Sequence, residues 1–137
     1  MKINKIVSLI AILVVFLLFY LAQNRSYVKV DSEIVKQEIQ KVANGRKIPP
    51  IEFETDGCSM WPDAILDLSW KDSCVKHDIY YWLGGSEEER LLADQELKNS
   101  INDVLPGMGD IVYLGVRLGA KNLIPFPWGW GYGWNNK

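Results

Sequence analysis

A single histidine carries most of the chemistry that this sequence can offer. His77 is the only histidine in the chain, and it lies in the stretch CVKHDIYYW, with Asp78 directly after it and Tyr81 four positions later. An imidazole titrates near neutral pH, so it is well suited to take a proton from water. The competing interpretation is a core histidine that is satisfied by one backbone hydrogen bond. Catalysis is favoured only if His77 has a partner.

The histidine lies on a predicted helix. Apolar residues at helical spacing run from Asp63 to Leu83, and Gly84-Gly85 ends the pattern. Steps of four, three and four residues place several side chains of this helix on one face. The residues on this face are Trp70, Cys74, His77 and Tyr81.

A second long helix supplies a partner for the histidine. Ser86 and Glu89 have the spacing of a capping box, and the helix is predicted to run to about Val104. Asp94 falls on its apolar stripe, where a carboxylate is costly unless it is paired. Because two glycines separate the helices, they are expected to pack antiparallel, with His77 and Asp94 at similar heights. We therefore expect a buried His77–Asp94 pair, either catalytic or purely structural.

Two shorter helices are predicted to flank this hairpin. Residues 31–44 have apolar side chains at helical spacing, and Asp110 is expected to cap a further helix over residues 111–122. In that helix Gly115 and Gly119 are expected to allow close helix approach. The predicted fold class is all-α: an antiparallel two-helix hairpin with flanking helices, preceded by an N-terminal transmembrane or signal helix.

The first 22 residues differ in kind from the rest. Lys2 and Lys5 precede an apolar run over residues 6–22 that carries no charge. At about 1.5 Å per residue this run spans roughly 25 Å, which is short for a bilayer and long for a signal-peptide core. An uncleaved membrane anchor is the first interpretation, a cleaved signal peptide the second and a buried core helix the third. The first two send the remaining chain across the membrane.

The chain has two cysteines, Cys58 and Cys74, and both lie in the part that is expected to be exported. In an oxidising compartment an even pair indicates a disulfide. Closing a loop of about 15 residues stabilises the fold by ~3 kcal/mol in the chain-entropy model. A zinc site is the alternative, although the chain lacks a CxxC motif and has a single histidine.

The composition argues against nucleic acid as a partner, and the C-terminal tail allows two interpretations. Lysine and arginine number 15 against 17 acidic residues, so nucleic acid is not expected as a partner, and no protein partner is predicted. The tail alternates glycines with aromatic residues, which suits either a strand or loop packed on the core or a contact with lipid headgroups. These aromatic residues are Trp128, Trp130, Tyr132 and Trp134.

The pattern C-x-x-H-D-x-x-Y at residues 74–81 resembles the active-site helix of the phospholipase A2 superfamily, in particular its compact, low-disulfide microbial branches. In that family a later antiparallel helix brings an aspartate to the histidine, and Asp94 matches that position. The resemblance covers roughly residues 54–104. It implies that His77 is the general base, that Asp94 orients it and that Tyr81 supports the pair, although a plain core tyrosine is the alternative for Tyr81.

The resemblance also implies calcium. In the family a loop before the helix binds Ca²⁺ through backbone carbonyls, and Asp56, Gly57 and Cys58 stand at that place. Asp78 would add carboxylate oxygens, which suit this hard cation. A Cys58–Cys74 bridge matches the family's link between loop and helix. The chain departs from the family directly after Cys58, where SMWP replaces further glycines.

The resemblance therefore predicts calcium-dependent hydrolysis of a fatty-acyl ester of glycerophospholipids. The alternative is a non-catalytic, membrane-anchored module that binds or has a structural role. The expected organisation is an anchor or signal peptide (1–22), a spacer with an amphipathic helix (23–50), a phospholipase A2-like domain (51–124) and the aromatic tail (125–137). The domain is expected on the periplasmic or extracellular side of a membrane, or secreted if the signal is cleaved.

Overall fold

The computed structural model describes residues 2–23, 28–29, 33–59, 61–119 and 133. These residues form five α-helices: α1 (Lys2–Gln23), α2 (Glu33–Ala43), α3 (Lys71–Leu83), α4 (Glu87–Val104) and α5 (Met108–Gly119). They also form two antiparallel ribbons of two-residue strands. In the first, β1 (Val28–Lys29) pairs with β2 (Glu54–Thr55), and in the second, β3 (Ala64–Ile65) pairs with β4 (Leu68–Ser69).

The fold is mostly helical, as the sequence predicts, and it adds short strands that the sequence does not indicate. One of these strands, β1, lies in the segment that was expected to be a polar spacer. Across the described part of the chain, no helix has both the length and the apolarity needed to span a membrane. The four tail aromatics, Trp128, Trp130, Tyr132 and Trp134, lie outside the described residues.

The α3–α4 hairpin forms where the local sequence signals predict it. The Ser86 side chain accepts from the Glu89 N–H at 3.2 Å, and the Glu89 carboxylate accepts from the Ser86 N–H at 2.7 Å, which completes the capping box. At the other side of the turn, Gly84 has a φ of 72°. Glycine adopts this positive φ without strain, and so α3 ends there.

The predicted start of α3 is wrong. Residues 64–69 form the β3–β4 ribbon, and the helix begins only at Lys71. The N–H of Trp70 donates to the carbonyl of Asp63 at 3.0 Å, which closes the ribbon. The ribbon exposes its apolar side chains to solvent, with Leu66 94% exposed. Their helical spacing therefore does not mark a buried helical face.

The last helix also differs from its predicted form. α5 begins at Met108, so Asp110 lies inside the helix and does not cap it. The predicted close packing at Gly115 and Gly119 is not seen among the described residues, since outside the helix's own backbone none of their atoms lies within 4 Å of a Cβ placed at either glycine. Gly109 is the glycine that close packing requires. A Cβ there would collide with the backbone carbonyl of Lys98 on α4.

α3 lies at the centre of the domain, with an apolar cluster on each side. One cluster joins it to α4 and α5 through Cys58, Trp70, Cys74, Leu97, Ile101 and Val112. The other joins it to α2 through Val42, Ala43, Phe53, Ile79 and Leu83. Packing on both sides fixes the rotation of α3 about its axis, and that rotation determines where His77 points.

Candidate active site

His77 and Asp94 form the buried pair that the sequence predicts. The Nε2 atom of His77, on α3, lies 2.8 Å from Oδ1 of Asp94, on α4. His77 is 7% exposed and Asp94 is 0% exposed. The antiparallel hairpin brings the two side chains to the same level, and the apolar clusters around α3 exclude water from their contact.

The contact fixes which ring nitrogen of His77 carries the proton. An ionised carboxylate can only accept hydrogen bonds. The Nε2 atom of His77 must therefore donate, and Nδ1 of the neutral ring keeps a free lone pair. Nδ1 is thus the atom that can take a proton from a reacting group.

Two further side chains donate to Asp94. The Tyr81 hydroxyl donates to Oδ1 at 2.8 Å, and the Arg117 guanidinium donates to Oδ2 at 2.7 Å. Burial, together with the negative charge of Asp94, raises the pKa of Tyr81. Tyr81 therefore stays a neutral donor, and its ring lies against that of His77 with 4.3 Å between centroids.

These donors determine the charge of Asp94. Burial by itself raises the pKa of the carboxyl group, but hydrogen bonds from His77, Arg117 and Tyr81 outweigh burial and hold the pKa below its usual range. Asp94 is therefore ionised at neutral pH. An ionised Asp94 can hold the tautomer of His77 and stabilise the imidazolium that forms when His77 takes a proton.

Asp78 follows His77 directly in the sequence, but its hydrogen-bond partner comes from β2 and not from α4 or α5. Its Oδ2 accepts a hydrogen bond of 2.5 Å from the hydroxyl of Thr55, on β2. The same hydroxyl accepts from the N–H of Gly57 at 3.0 Å. Thr55 therefore ties the loop after β2 to α3 at the residue beside the histidine.

The loop is organised by a residue that sequence reasoning did not single out. The N–H of Cys58 donates to Oδ1 of Asp63 at 2.9 Å. A Cβ at Gly57, whose φ is 78°, would meet the Asp63 carboxylate, so only glycine fits there. Within the loop, the Ser59 hydroxyl donates to Asp56 Oδ1 at 2.9 Å.

The charge environment of Asp78 is unfavourable. Burial raises the pKa of Asp78 well above its usual range, and the charges of Asp56 and Asp63 raise it further. The hydrogen bond from Thr55 opposes the rise without cancelling it. The loop thus brings negative charge to a buried carboxylate.

The residues predicted to hold calcium fit a hard cation in their donor chemistry. All their donors are oxygens: the Asp78 carboxylate and the backbone carbonyls of Asp56, Gly57 and Cys58. A divalent cation would also relieve the repulsion around Asp78. In the described part of the chain, no group of three or more His, Cys, Asp or Glu side chains is placed to hold a metal. A cation would therefore depend on Asp78 and the loop carbonyls.

The predicted disulfide is confirmed. Cys58 and Cys74 are bonded, with 5.0 Å between their Cα atoms. The bond joins the loop to α3 one turn before His77. Because both sulfurs lie in the bridge, the alternative zinc site is wrong.

The sequence analysis missed three residues of the site: Arg117, Thr55 and Asp63. Arg117 is the basic residue of the last turn of α5, and a lone charge near an apolar helix face was the signal that could have drawn attention to it. Thr55 lies in a segment without regular spacing, and Asp63 stands at the start of the predicted helix, where the pattern indicates a helix and not a loop contact.

Comparison of the chain with family models, curated proteins and solved structures finds no match to any of them. The resemblance to phospholipase A2 therefore depends on the residues of the chain itself.

Proposed function

We propose that the protein is a calcium-dependent phospholipase A2-type hydrolase that cleaves a fatty-acyl ester of glycerophospholipids. The observation that carries the proposal is the 2.8 Å contact between His77 Nε2 and a fully buried Asp94. This contact leaves Nδ1 of His77 as a base, and Tyr81 and Arg117 complete the hydrogen bonds of the carboxylate. A purely structural pair needs no such orientation of the ring.

In the first step Nδ1 of His77 takes a proton from a water molecule while the water oxygen attacks the ester carbonyl carbon. The carbonyl π bond opens, and a tetrahedral oxyanion forms. Asp94 keeps the proton on Nε2 and stabilises the imidazolium of His77. General-base assistance of this kind accelerates a reaction by about 10²–10⁴-fold.

In the second step the tetrahedral species collapses. Its C–O bond to the glycerol oxygen breaks, and the imidazolium of His77 returns the proton from Nδ1 to that oxygen. The products are a fatty acid and a lysophospholipid, and His77 is neutral again. Since the base and the acid are the same nitrogen, a single well-oriented ring serves both steps.

Asp78 and the carbonyls of Asp56, Gly57 and Cys58 are the residues that would hold calcium. When bound, the cation would act as a Lewis acid that stabilises the oxyanion and binds the phosphate of the substrate. Asp78 and the loop contribute to its placement through the bonds made by Thr55 and the Cys58–Cys74 disulfide.

We also propose that the N-terminal apolar run exports the domain and anchors it to a membrane, or is cleaved to release it. The run has an N-terminal lysine pair and 17 uncharged residues, and the disulfide fits an oxidising compartment. Membrane fractionation of the expressed protein, with N-terminal sequencing of the mature chain, tests this proposal.

The direct test is fatty-acid release from mixed phospholipid vesicles, with calcium and with EGTA. We expect release by the wild type in calcium, loss of release in EGTA, and a decrease of roughly 10²–10⁴-fold in His77→Asn. Lys76→Met is the matched control, since Lys76 is the neighbour of His77 on α3 and pairs with Glu96 on the surface. This variant is expected to keep wild-type activity.

Two results would contradict the proposal. Release that persists in a folded His77→Asn protein would assign the activity to other residues. A wild type that binds vesicles but releases no fatty acid at any calcium concentration would favour the non-catalytic module.

A further inference from the structure

The two oxygens of the Asp94 carboxylate face different helices. Oδ1 accepts both bonds that come from α3, one from His77 and one from Tyr81. Oδ2 accepts from Nη1 of Arg117, on α5, at 2.7 Å. Asp94 itself lies on α4, so three helices meet at one carboxylate.

We propose that Arg117 is a positioning residue for the His77–Asp94 pair, and that α5 is therefore part of the active site. The inference rests on the proposed function, because it names a residue that prepares the same base for the same reaction. Arg117 contacts neither His77 nor the reacting atoms in the proposed mechanism, so it acts through Asp94.

Orientation of the carboxylate is the physical basis of the proposal. The terminal torsion of an aspartate is broad and roughly two-fold, so an unrestrained Asp94 can turn its carboxylate plane. A charge-assisted bond from Arg117 to Oδ2 fixes that plane. Oδ1 is then held on Nε2 of His77, and a single tautomer of the ring is populated.

Electrostatic assistance is not the role that we assign to Arg117. A guanidinium carries a permanent positive charge, and such a charge beside Asp94 does not help the carboxylate to stabilise an imidazolium. The role therefore depends on the hydrogen bond. Lysine can still donate one bond to Oδ2, whereas methionine fills similar space without a donor.

The contact between α4 and α5 offers a matched control. A second ion pair joins the same two helices, between Lys98 Nζ and Asp110 Oδ1 at 2.7 Å. This pair is partly exposed and does not touch Asp94. Lys98→Met therefore weakens the docking of α5 without removing a partner of Asp94.

The kinetic test compares Arg117→Met, Arg117→Lys and Lys98→Met for fatty-acid release from phospholipid vesicles in calcium. For Arg117→Met we expect kcat to fall roughly 10- to 100-fold, by analogy with the loss of a partner that orients a metal-ligating histidine, with KM within about twofold of the wild type. Arg117→Lys recovers part of the loss, and Lys98→Met keeps the wild-type kcat. In an Asp94→Asn background, Arg117→Met adds little, because both changes remove the same interaction.

The spectroscopic test does not depend on activity. The chain has one histidine, so ¹⁵N labelling of histidine reports on His77 alone. We expect the wild type to show one neutral tautomer, protonated at Nε2, and Arg117→Met to show a mixture of tautomers. Lys98→Met keeps the wild-type spectrum.

Two results would overturn the positioning role of Arg117, and a third would separate that role from the proposed hydrolase function. If Arg117→Met keeps both the wild-type kcat and the single tautomer, Arg117 does not position Asp94. If Lys98→Met lowers kcat as much as Arg117→Met, helix docking explains the effect and the inference is wrong. If the wild type hydrolyses no ester, the proposed function fails, and the tautomer spectrum alone decides whether Arg117 positions the pair.

Discussion

Asp78 and Asp94 are both buried beside the same histidine, and their surroundings are opposite. Asp94 receives three donors, one of which, Arg117, carries a full positive charge. Asp78 receives one neutral hydroxyl from Thr55, while Asp56 and Asp63 add negative charge. The pKa of Asp94 is accordingly lowered and that of Asp78 is raised.

The difference shows that burial alone does not decide what a carboxylate does. Both aspartates lose nearly all contact with water, at 4% and 0% exposure for Asp78 and Asp94. Their partners decide the outcome, since hydrogen bonds and opposite charges favour the ionised form and like charges disfavour it. In the Asp94 region, which comprises Asp94, His77, Tyr81 and Arg117, side chains of the protein itself balance the negative charge of the carboxylate. In the Asp78 region, which comprises Asp78, Thr55, Asp56 and Asp63, a proton or an external cation would offset the negative charge.

The largest expected contrast is in the stability of two matched variants. In EGTA at pH 7, Asp94→Asn is expected to lower the free energy of unfolding by about 4 kcal/mol, the scale for breaking a buried ion pair. Asp78→Asn is expected to leave it unchanged or to raise it, because the raised pKa of Asp78 means that its ionised form opposes folding. Urea unfolding followed by circular dichroism measures both variants.

The pH dependence provides the control for this contrast. The folded pKa of Asp94 is lowered, so its stabilising effect is present above the unfolded pKa of about 3.9 and is lost as the pH falls below it. The difference between the wild type and Asp94→Asn is therefore expected to shrink only in acid. If Asp78→Asn at pH 7 lowers the free energy of unfolding as much as Asp94→Asn does, the expectation that only the ionised Asp94 stabilises the fold is wrong.

The second contrast concerns the covalent link between the two regions. Replacing Cys58 and Cys74 together by alanine is expected to lower the free energy of unfolding by ~3 kcal/mol, since the unfolded chain gains the entropy of an open loop. The His77–Asp94 contact is held by helices and not by this bond, so the single His77 tautomer is expected to persist. Thermal unfolding and the ¹⁵N histidine spectrum measure the two effects, with reduced wild type as a further comparison.

The opposite result would mean that the two regions do not form independently of each other. If the double alanine variant loses the single tautomer while α3, α4 and α5 remain folded, the loop positions His77, and the Asp94 region is not self-sufficient.

The sequence predicted the Asp94 region better than the loop, and the reason is physical. The α3–α4 hairpin depends on signals at fixed spacing: a glycine turn, a capping box and a carboxylate on an apolar stripe. Each of these acts within a few residues. The pairing of His77 with Asp94 then follows from antiparallel packing, so two local patterns were enough to predict a tertiary contact.

The loop and α5 depend on contacts that no spacing rule encodes. The Ala64–Ile65 strand belongs to a stretch that has helical spacing, but the carbonyl of Asp63 accepts from Trp70 and closes a ribbon there. Arg117 reaches Asp94 from 23 positions away along the chain. Such contacts are fixed by how the packed helices meet, and therefore only the structure reveals them.

The smallest expected contrast lies in one hydroxyl group of the Asp78 region. Thr55→Val keeps the shape of the side chain but removes the donor to Asp78 and the acceptor for the Gly57 N–H. We expect a loss of about 1–3 kcal/mol in the free energy of unfolding, since buried polar groups are left without partners. Thr55→Ser keeps the hydroxyl and is expected to lose less than ~1 kcal/mol. Urea unfolding in EGTA separates the two, and a larger loss in Thr55→Ser than in Thr55→Val would mean that the methyl group, and not the hydrogen bond to Asp78, links the loop to α3.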